Sequence, residues 1–383
     1  MEVYLDNCAT TPLYEEIITH MASVQSRYYG NASSVHGKGL EAERLINSAR
    51  SEVAKALGVD PADIIFTSGG TESNNIAIKG IARRYHRRGK HIITTPIEHP
   101  STLYACRQLE KEGFEISFIE VDKNGQIVLR HLEELITPQT TLVSIIHINN
   151  EIGTVQDIAA VGHLIRRINP KIVFHVDAVQ SFGKAVLDPH DAMIDALSLS
   201  AHKIHGPKGT GGLWLRRGVD LEPLFQGGDQ EKGLRPGTEN LAGIAGFGRA
   251  VSIYFTHKDE HARRMNELKI MLADKLGKAL TIEINGPPPG EGAPHILNLF
   301  FEGVRGEVLV HTLEENGVYA SPGSACHSRR PEPSHVLAAI GLEDKKIRSS
   351  LRFSFSALNT AAEVEYAAGK IIESVNNLQK IMM

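Results

Sequence analysis

Between Leu40 and Tyr254 the chain alternates helical patterns with short apolar strands, and no other feature limits its fold as strongly. Strands that alternate with helices form crossover units, which build a mainly parallel sheet covered by helices on both faces. We therefore predict an α/β fold around one large sheet. The predicted helices span 40–57, 72–86, 103–112 and 158–168, and the predicted strands span 64–67, 92–94, 116–121, 142–148, 172–176, 196–200 and 213–215.

The pattern changes after residue 255. A charged helical stretch over 258–280 leads into the Pro/Gly-rich segment 286–290, which can be neither a helix nor a central strand. Strands are predicted at 296–301 and 351–355, with helices at 306–315, 334–340 and 361–379. We predict a large domain over 14–255 and a smaller α/β domain formed by 1–13 and 256–383.

Charge and cysteine content exclude several classes of function. The formal charge of −4 over 383 residues provides no broad basic surface, so nucleic acid is not a predicted partner. We find neither a signal-peptide pattern nor an apolar run of about 18 residues, which predicts a cytoplasmic protein without a membrane partner. The three cysteines form no C-x-x-C pair, so neither a disulfide framework nor a metal site is predicted. Cys106 lies in a helical pattern and is predicted to be a core residue.

Lys203 lies where the apolar run 196–201 gives way to a glycine-rich turn in SLSAHKIHGPKGTGG, residues 198–212. Asp177, in the stretch HVDAVQ, follows the neighbouring predicted strand. A Schiff-base lysine and an acid that holds a pyridinium nitrogen form the protein's part of pyridoxal phosphate (PLP) chemistry. Taken alone, the pair is explained better by a surface lysine and a turn-forming aspartate.

Other polar residues follow the predicted strands at the same edge of the sheet. The turn FTSGGTE at 66–72 joins a strand to a helix, whose N-terminal N–H groups could bind phosphate. Taken alone, this motif is explained better by a capped turn with Thr71 as N-cap, and neither a P-loop nor a dinucleotide fingerprint is present. His99 in PIEHP and Asn150 in NNE follow the next strands. An imidazole at this edge could stack on a heteroaromatic cofactor and transfer protons.

Taken together, these motifs closely resemble those of the cysteine desulfurases, the class V aminotransferase-like PLP enzymes of the NifS/IscS group. The resemblance extends from YLDNCATTP to RFSFS, almost end to end. The motifs that carry it are SGGTESNN, PIEH, NNEIGTVQDI, HVDAVQ, SAHK, GLRPGTEN and SPGSACHS. The chain departs from residues common in the family at Cys8, Ala32, Pro236, Pro322 and His327.

The resemblance implies a fold type I PLP-dependent transferase that is active as a homodimer. It implies that Lys203 forms the Schiff base with PLP, that Asp177 holds the pyridine nitrogen, and that His99 stacks on the ring. Gln180 would bind the phenolic oxygen, and Asn150 would lie beside that oxygen and the substrate. The implied phosphate ligands are Gly70, Thr71, Ser200, His202 and, from the partner subunit, Thr238. Arg352 would bind the carboxylate of the substrate through its guanidinium fork.

The resemblance also makes Cys326 the catalytic nucleophile, on a mobile loop over about 321–333 in the small domain. Its surroundings, SPGSACHSRRPEP, lack periodicity and place Arg329 and Arg330 nearby, so an exposed and reactive thiol is predicted. The implied reaction converts L-cysteine to L-alanine and leaves the sulfur on Cys326 as a persulfide. The sulfur then passes to an acceptor or an iron–sulfur scaffold protein for cluster assembly. No resident metal is predicted, although Cys326 could hold an iron–sulfur cluster transiently.

Three alternatives remain. The same fold could serve a selenocysteine lyase or an aminotransferase, although an aminotransferase has no need of Cys326. The chain could instead be a sulfur-carrier or scaffold-binding subunit without catalysis, which the presence of Lys203, Asp177 and His99 disfavours. Neither the sulfur acceptor, whether for iron–sulfur clusters or tRNA thiolation, nor selenocysteine activity can be decided from the sequence.

Overall fold

The structure, a computed structural model, describes residues 1–322 and 333–382. Cys326 and His327 therefore lie outside the described residues. Among the described residues, no helix is both long and apolar enough to cross a membrane.

The strands are β1 (Val3–Tyr4), β2 (Ile64–Thr67), β3 (His91–Thr94), β4 (Glu115–Phe118), β5 (Thr140–Ile146), β6 (Val173–Asp177), β7 (Ala196–Ser200), β8 (Gly211–Leu215), β9 (Ile282–Ile284), β10 (Ile296–Phe301), β11 (Val318–Tyr319), β12 (Ser321–Pro322) and β13 (Ser350–Ser354). The helices are α1 (Glu15–Arg27), α2 (Gly37–Leu57), α3 (Gly70–Tyr85), α4 (Pro100–Lys111), α5 (Leu129–Leu135), α6 (Ile158–Ile168), α7 (Leu241–Thr256), α8 (Lys258–Ala279), α9 (Gly306–Glu315), α10 (His335–Ala339), α11 (Asp344–Arg348) and α12 (Ala361–Met382).

A seven-stranded sheet forms the centre of the molecule, in the order β2-β8-β7-β6-β5-β3-β4. Strands β3 to β7 are all parallel to one another, whereas β8 is antiparallel to both β7 and β2. The connection from β7 to β8, residues 201–210, is too short to contain the helix of a parallel crossover. The predicted α/β fold with a mainly parallel sheet is confirmed, and β8 is its antiparallel member.

Successive residues of the central strands point to opposite faces of the sheet. Phe174 packs with residues of α2 and α7 in one core, while the adjacent Val173 packs with residues of α3 and α4 in the other. Val143 and Leu142 on β5 divide in the same way. Because both faces are covered, β5 to β8 are buried along their whole length.

A second, antiparallel sheet in the order β12-β13-β10-β9 packs against α8, α9 and α12. Its core contains Phe301, Phe353 and Leu309. The N-terminal strand β1 pairs with β11, and Asp6 bridges to β13, so the start of the chain lies against its C-terminal part. The proposed domain bounds, 14–255 against 1–13 with 256–383, stay a prediction.

Several elements were not predicted from the sequence, namely α1, α5, α7, α11, β1, β9, β11 and β12. Helix α7 is the instructive case, because its sequence LAGIAGFGRA is rich in glycine, which disfavours helix. Tertiary packing requires those glycines: a Cβ atom on Gly248 would lie 2.6 Å from Cα of Ala49 in α2. The unpredicted strands contain only two or three residues each, too few to show a period.

Candidate active site

A cavity of about 290 Å³ opens where β2, β3, β5, β6 and β7 end, at the carboxyl edge that the sequence predicts. Small-molecule sites in proteins begin at about this size. The structure brings together at this cavity ten of the predicted site residues: Gly70, Thr71, His99, Asn150, Asp177, Gln180, Ser200, His202, Lys203 and Arg352. Thr238 does not reach it and is exposed in the segment between β8 and α7. Cys326 lies outside the described residues.

Lys203 follows β7 at the end of a short 3-10 turn, Ala201–Lys203. Its Nζ donates to the carbonyl oxygen of Cys8 and, at 2.8 Å, to that of Ala9. The turn is tight, since a Cβ atom on Gly206 would lie 2.8 Å from the carbonyl oxygen of Ala201. The local sequence therefore presents a primary amine at the wall of the cavity.

Asp177 ends β6 and is 2% exposed. Its Oδ1 accepts from the backbone N–H of Val179 at 3.0 Å, and its Oδ2 accepts from Nδ2 of Asn74 at 2.6 Å. Burial raises the pKa of Asp177, while both hydrogen bonds and the Lys203 charge oppose this rise. Such a buried acid can hold a cationic N–H group that enters the cavity.

His99 is the N-cap of α4. Its Nδ1 accepts from the backbone N–H of Ser101 at 3.2 Å and lies 2.8 Å from the Ser101 hydroxyl. Burial, together with the charges of Lys203 and His335, lowers the pKa of His99 to about 4. The imidazole is therefore neutral at neutral pH.

The turn from β2 to α3 can bind an anion. Gly69, at φ 148°, is the N-cap of α3 and has no capping side chain, so Thr71 is not the N-cap. The interpretation of Thr71 as the N-cap is wrong because the helix begins at Gly70, two residues earlier than that interpretation requires. A Cβ atom on Gly70 would lie 2.5 Å from Cγ2 of Val179, so only glycine fits this approach. The free N–H groups of the first helical turn are thus available to a phosphate.

Two further polar residues border this turn. Ser200 Oγ is buried and has no hydrogen-bond partner among residues 1–322 and 333–382. His202 Nδ1 lies 3.2 Å from the Thr10 hydroxyl, and burial lowers the pKa of His202 to about 3. A buried hydroxyl without a partner indicates that a ligand atom belongs there.

Arg352 extends from β13 of the second sheet to the same cavity and is 2% exposed. It donates to the carbonyl oxygen of Asn150 at 2.9 Å and to Oδ1 of Asp6 at 2.7 Å. Its Nε is buried and without a partner in the described part of the chain. A fixed guanidinium with an unused donor is suited to a carboxylate ligand.

Gln180 is held by two neighbours. Its Nε2 donates to the carbonyl oxygen of Cys8 at 3.0 Å, the oxygen that Lys203 also uses, and its Oε1 lies 3.3 Å from Nε2 of His295. Gln180 is therefore oriented beside the amine of Lys203.

Sequence reasoning did not identify Asn74, Ser101, Cys8 or Ala9 as lining residues. Asn74 lies three positions after Thr71, on the same helix face, so the helical period could have predicted that it lines the same cavity. Ser101 lies two positions after His99. Cys8 and Ala9 reach the cavity through a long-range contact that no local pattern reveals. The prediction that Cys106 is a core residue is confirmed: it is 1% exposed, and burial raises its pKa to about 12.

Comparison with known proteins gives consistent results. The aminotransferase class-V family matches residues 3–367. The chain is 42% identical to the putative cysteine desulfurase IscS 1 of Bacillus subtilis, covering 98% of this chain and 99% of that protein. It is also 42% identical to the cysteine desulfurase of Homo sapiens, covering 99% of this chain and 83% of that protein. The solved structure of a NifS-like protein superposes with a TM-score of 0.93 at 38% identity, covering 98% and 100% of the two chains.

Proposed function

The chain belongs to the aminotransferase class-V family, and we propose that it is a PLP-dependent cysteine desulfurase that converts L-cysteine to L-alanine. Relatives named cysteine desulfurase match nearly its whole length at 40–43% identity. The observation that carries the proposal is that a lysine, a buried aspartate, an anion-binding turn and a fixed arginine line one cavity.

The residues of the cavity fit PLP. Ser200 Oγ is a buried hydroxyl without a partner in the described ranges, and it lies near the glycine turn where a phosphate needs donors. The proposed phosphate ligands are Gly70, Thr71, Ser200 and His202, with Thr238 of the partner subunit. Lys203 would hold the cofactor covalently. Asp177, Gln180, His99 and Asn150 would contact its ring and phenolic oxygen.

When bound, PLP supplies an electron sink for negative charge at the α-carbon of an amino acid. Asp177, held by Asn74 and Val179, would stabilise a protonated pyridine nitrogen of the cofactor with its carboxylate. Arg352 orients the substrate through its carboxylate, using the Nε donor that the described residues leave without a partner. Nζ of Lys203 is the base that removes the α-proton and returns a proton to carbon.

Sulfur transfer is assigned to Cys326 on the sequence alone. Its thiolate attacks the sulfur of L-cysteine, the carbon–sulfur bond of the substrate breaks, and a sulfur–sulfur bond forms. L-Cysteine and the Cys326 thiol thereby become L-alanine and a Cys326 persulfide, without any added oxidant. We further propose that the enzyme is a cytoplasmic homodimer and that it passes the sulfur to an acceptor in iron–sulfur cluster assembly.

Incubation of the purified, PLP-loaded protein with L-cysteine and a thiol reductant tests this function. We expect L-alanine and sulfide in equal amounts. An aminotransferase would instead form a keto acid, a selenocysteine lyase would act on L-selenocysteine but not on L-cysteine, and a subunit without catalysis would form neither product. Lys203→Ala should abolish the reaction, whereas Lys208→Ala, which replaces an exposed lysine of the same loop, should retain it.

A further inference from the structure

A continuous chain of hydrogen bonds links His99 to Asp177 beside the candidate cavity. His99 Nδ1 lies 2.8 Å from Oγ of Ser101, which lies 2.9 Å from Nδ2 of Asn74. The same Nδ2 lies 2.6 Å from Oδ2 of Asp177. Ser101, Asn74 and Asp177 are all buried. In the proposed function His99 and Asp177 contact the same cofactor ring and Asn74 holds Asp177, while Ser101 has no assigned role.

The direction of these bonds follows from the backbone. The N–H group of Ser101 can only donate, and it points to Nδ1 of His99 at 3.2 Å. Nδ1 is therefore an acceptor, so a neutral ring carries its proton on Nε2. The Ser101 hydroxyl then donates to the same Nδ1, and its oxygen is left to accept from Asn74.

Asn74 completes the chain in one orientation only. Its two amide hydrogens serve Oγ of Ser101 and Oδ2 of Asp177. The flipped amide would set the Asn74 carbonyl oxygen 2.6 Å from a carboxylate oxygen, which is repulsive. In this orientation Oδ1 of Asn74 has no partner within the described part of the chain.

We propose, building on the desulfurase function above, that Ser101 is a positioning residue that fixes His99 as the Nε2–H tautomer and that Asn74 couples this choice to Asp177. His99 then presents an N–H donor from the ring atom opposite Nδ1. It acts in the site as a hydrogen-bond donor rather than as a base, and the role of base is left to Lys203.

Nitrogen-15 NMR of the histidine-labelled protein, with and without PLP, tests the tautomer directly. His99→Gln identifies the resonances by their loss. We expect an unprotonated Nδ1 and a protonated Nε2 in the wild type at neutral pH, and the Nδ1–H tautomer would overturn the proposal. This readout needs no catalysis. If the tautomer is the predicted one but L-cysteine is not converted, the desulfurase function fails and the assignment of Ser101 stands.

Variants at Ser101 test its role. Ser101→Ala removes one donor to the neutral ring, so the pKa of His99 should rise by roughly half a unit to one unit, the equivalent of one ordinary hydrogen bond. The two charged groups that also lower the pKa of His99, Lys203 and His335, are unchanged in this variant. The acid limb of kcat against pH should move upward by the same amount.

Ser101→Thr keeps the hydroxyl, so the pKa of His99 and the acid limb of kcat against pH should both have their wild-type values. Thr102→Val is the matched control, because the adjacent Thr102 hydroxyl is buried and, among the described residues, has no hydrogen-bond partner. A pKa of His99 that stays the same in Ser101→Ala, or that shifts equally in Thr102→Val, refutes the role of Ser101.

Discussion

Glu151→Gln should stabilise the protein, and the gain should grow with pH. Glu151 is 6% exposed and accepts a hydrogen bond from Oγ of Ser334 at 2.5 Å. Burial raises its pKa from 4.5 to about 7, against the opposing effects of Ser334 and Arg352. The folded protein therefore retains a proton on Glu151 over a pH range in which the unfolded chain has lost it.

The sign and size of the effect of Glu151 on the unfolding free energy follow from the difference between its pKa in the folded and unfolded states. A raised carboxyl pKa contributes stability that is fully present below pH 4.5 and is lost as pH rises to about 7. The difference of about 2.5 units, at about 1.36 kcal/mol per unit, makes the total loss roughly 3.4 kcal/mol above pH 7. Between pH 5.5 and 8.5 the loss is about 2 kcal/mol. Glutamine can accept the same Ser334 hydrogen bond but does not ionise.

Urea unfolding of wild type and Glu151→Gln at the two pH values measures this effect. The difference in unfolding free energy between variant and wild type should increase by about 2 kcal/mol from pH 5.5 to pH 8.5. Thr102→Val, which replaces no titratable group, should show a difference from wild type that does not depend on pH. A Glu151→Gln difference that is equally constant would show that Glu151 has the same pKa in the folded and unfolded states.

Three further substitutions test the contacts of the site. Gly70→Ala places a Cβ 2.5 Å from Cγ2 of Val179, so the affinity for PLP in equilibrium dialysis should fall by roughly tenfold or more; unchanged affinity would argue against the phosphate turn. Arg352→Lys loses the planar fork, and KM for L-cysteine should rise by about 10- to 100-fold, whereas an unchanged KM would remove Arg352 from the substrate site. Thr238→Val should weaken PLP binding in a protein that light scattering finds to be a dimer, and a fully active monomer would refute the shared site.

The sequence predicts correctly the position of those site residues that lie at the ends of strands. Lys203, Asp177 and His99 each follow an apolar run, and parallel strands bring such residues to one edge of the sheet. Their roles came from the resemblance, since a lysine and an aspartate at strand ends are common in proteins without PLP.

The remaining features depend on contacts between distant parts of the chain. Arg352 reaches the cavity from β13, and the carbonyl of Cys8 meets Lys203 across 195 positions of sequence. No periodicity in the sequence predicts these long-range contacts. Helix α7 was missed because packing against Ala49 overrides the low helix propensity of its glycines. The Ser101 link was missed because it depends on where a hydroxyl points, and that is decided only after α3 and α4 have packed together.

A single turnover without reductant tests the proposed sulfur transfer to Cys326 most directly. PLP-loaded protein is mixed with less than one equivalent of L-cysteine, L-alanine is quantified, and the protein is alkylated and digested to locate the retained sulfur by mass spectrometry. We expect one persulfide on Cys326 for each L-alanine formed, and no L-alanine from Cys326→Ser. L-Alanine formed by Cys326→Ser at the wild-type rate, or a persulfide located on Cys8 or Cys106, would contradict this proposal.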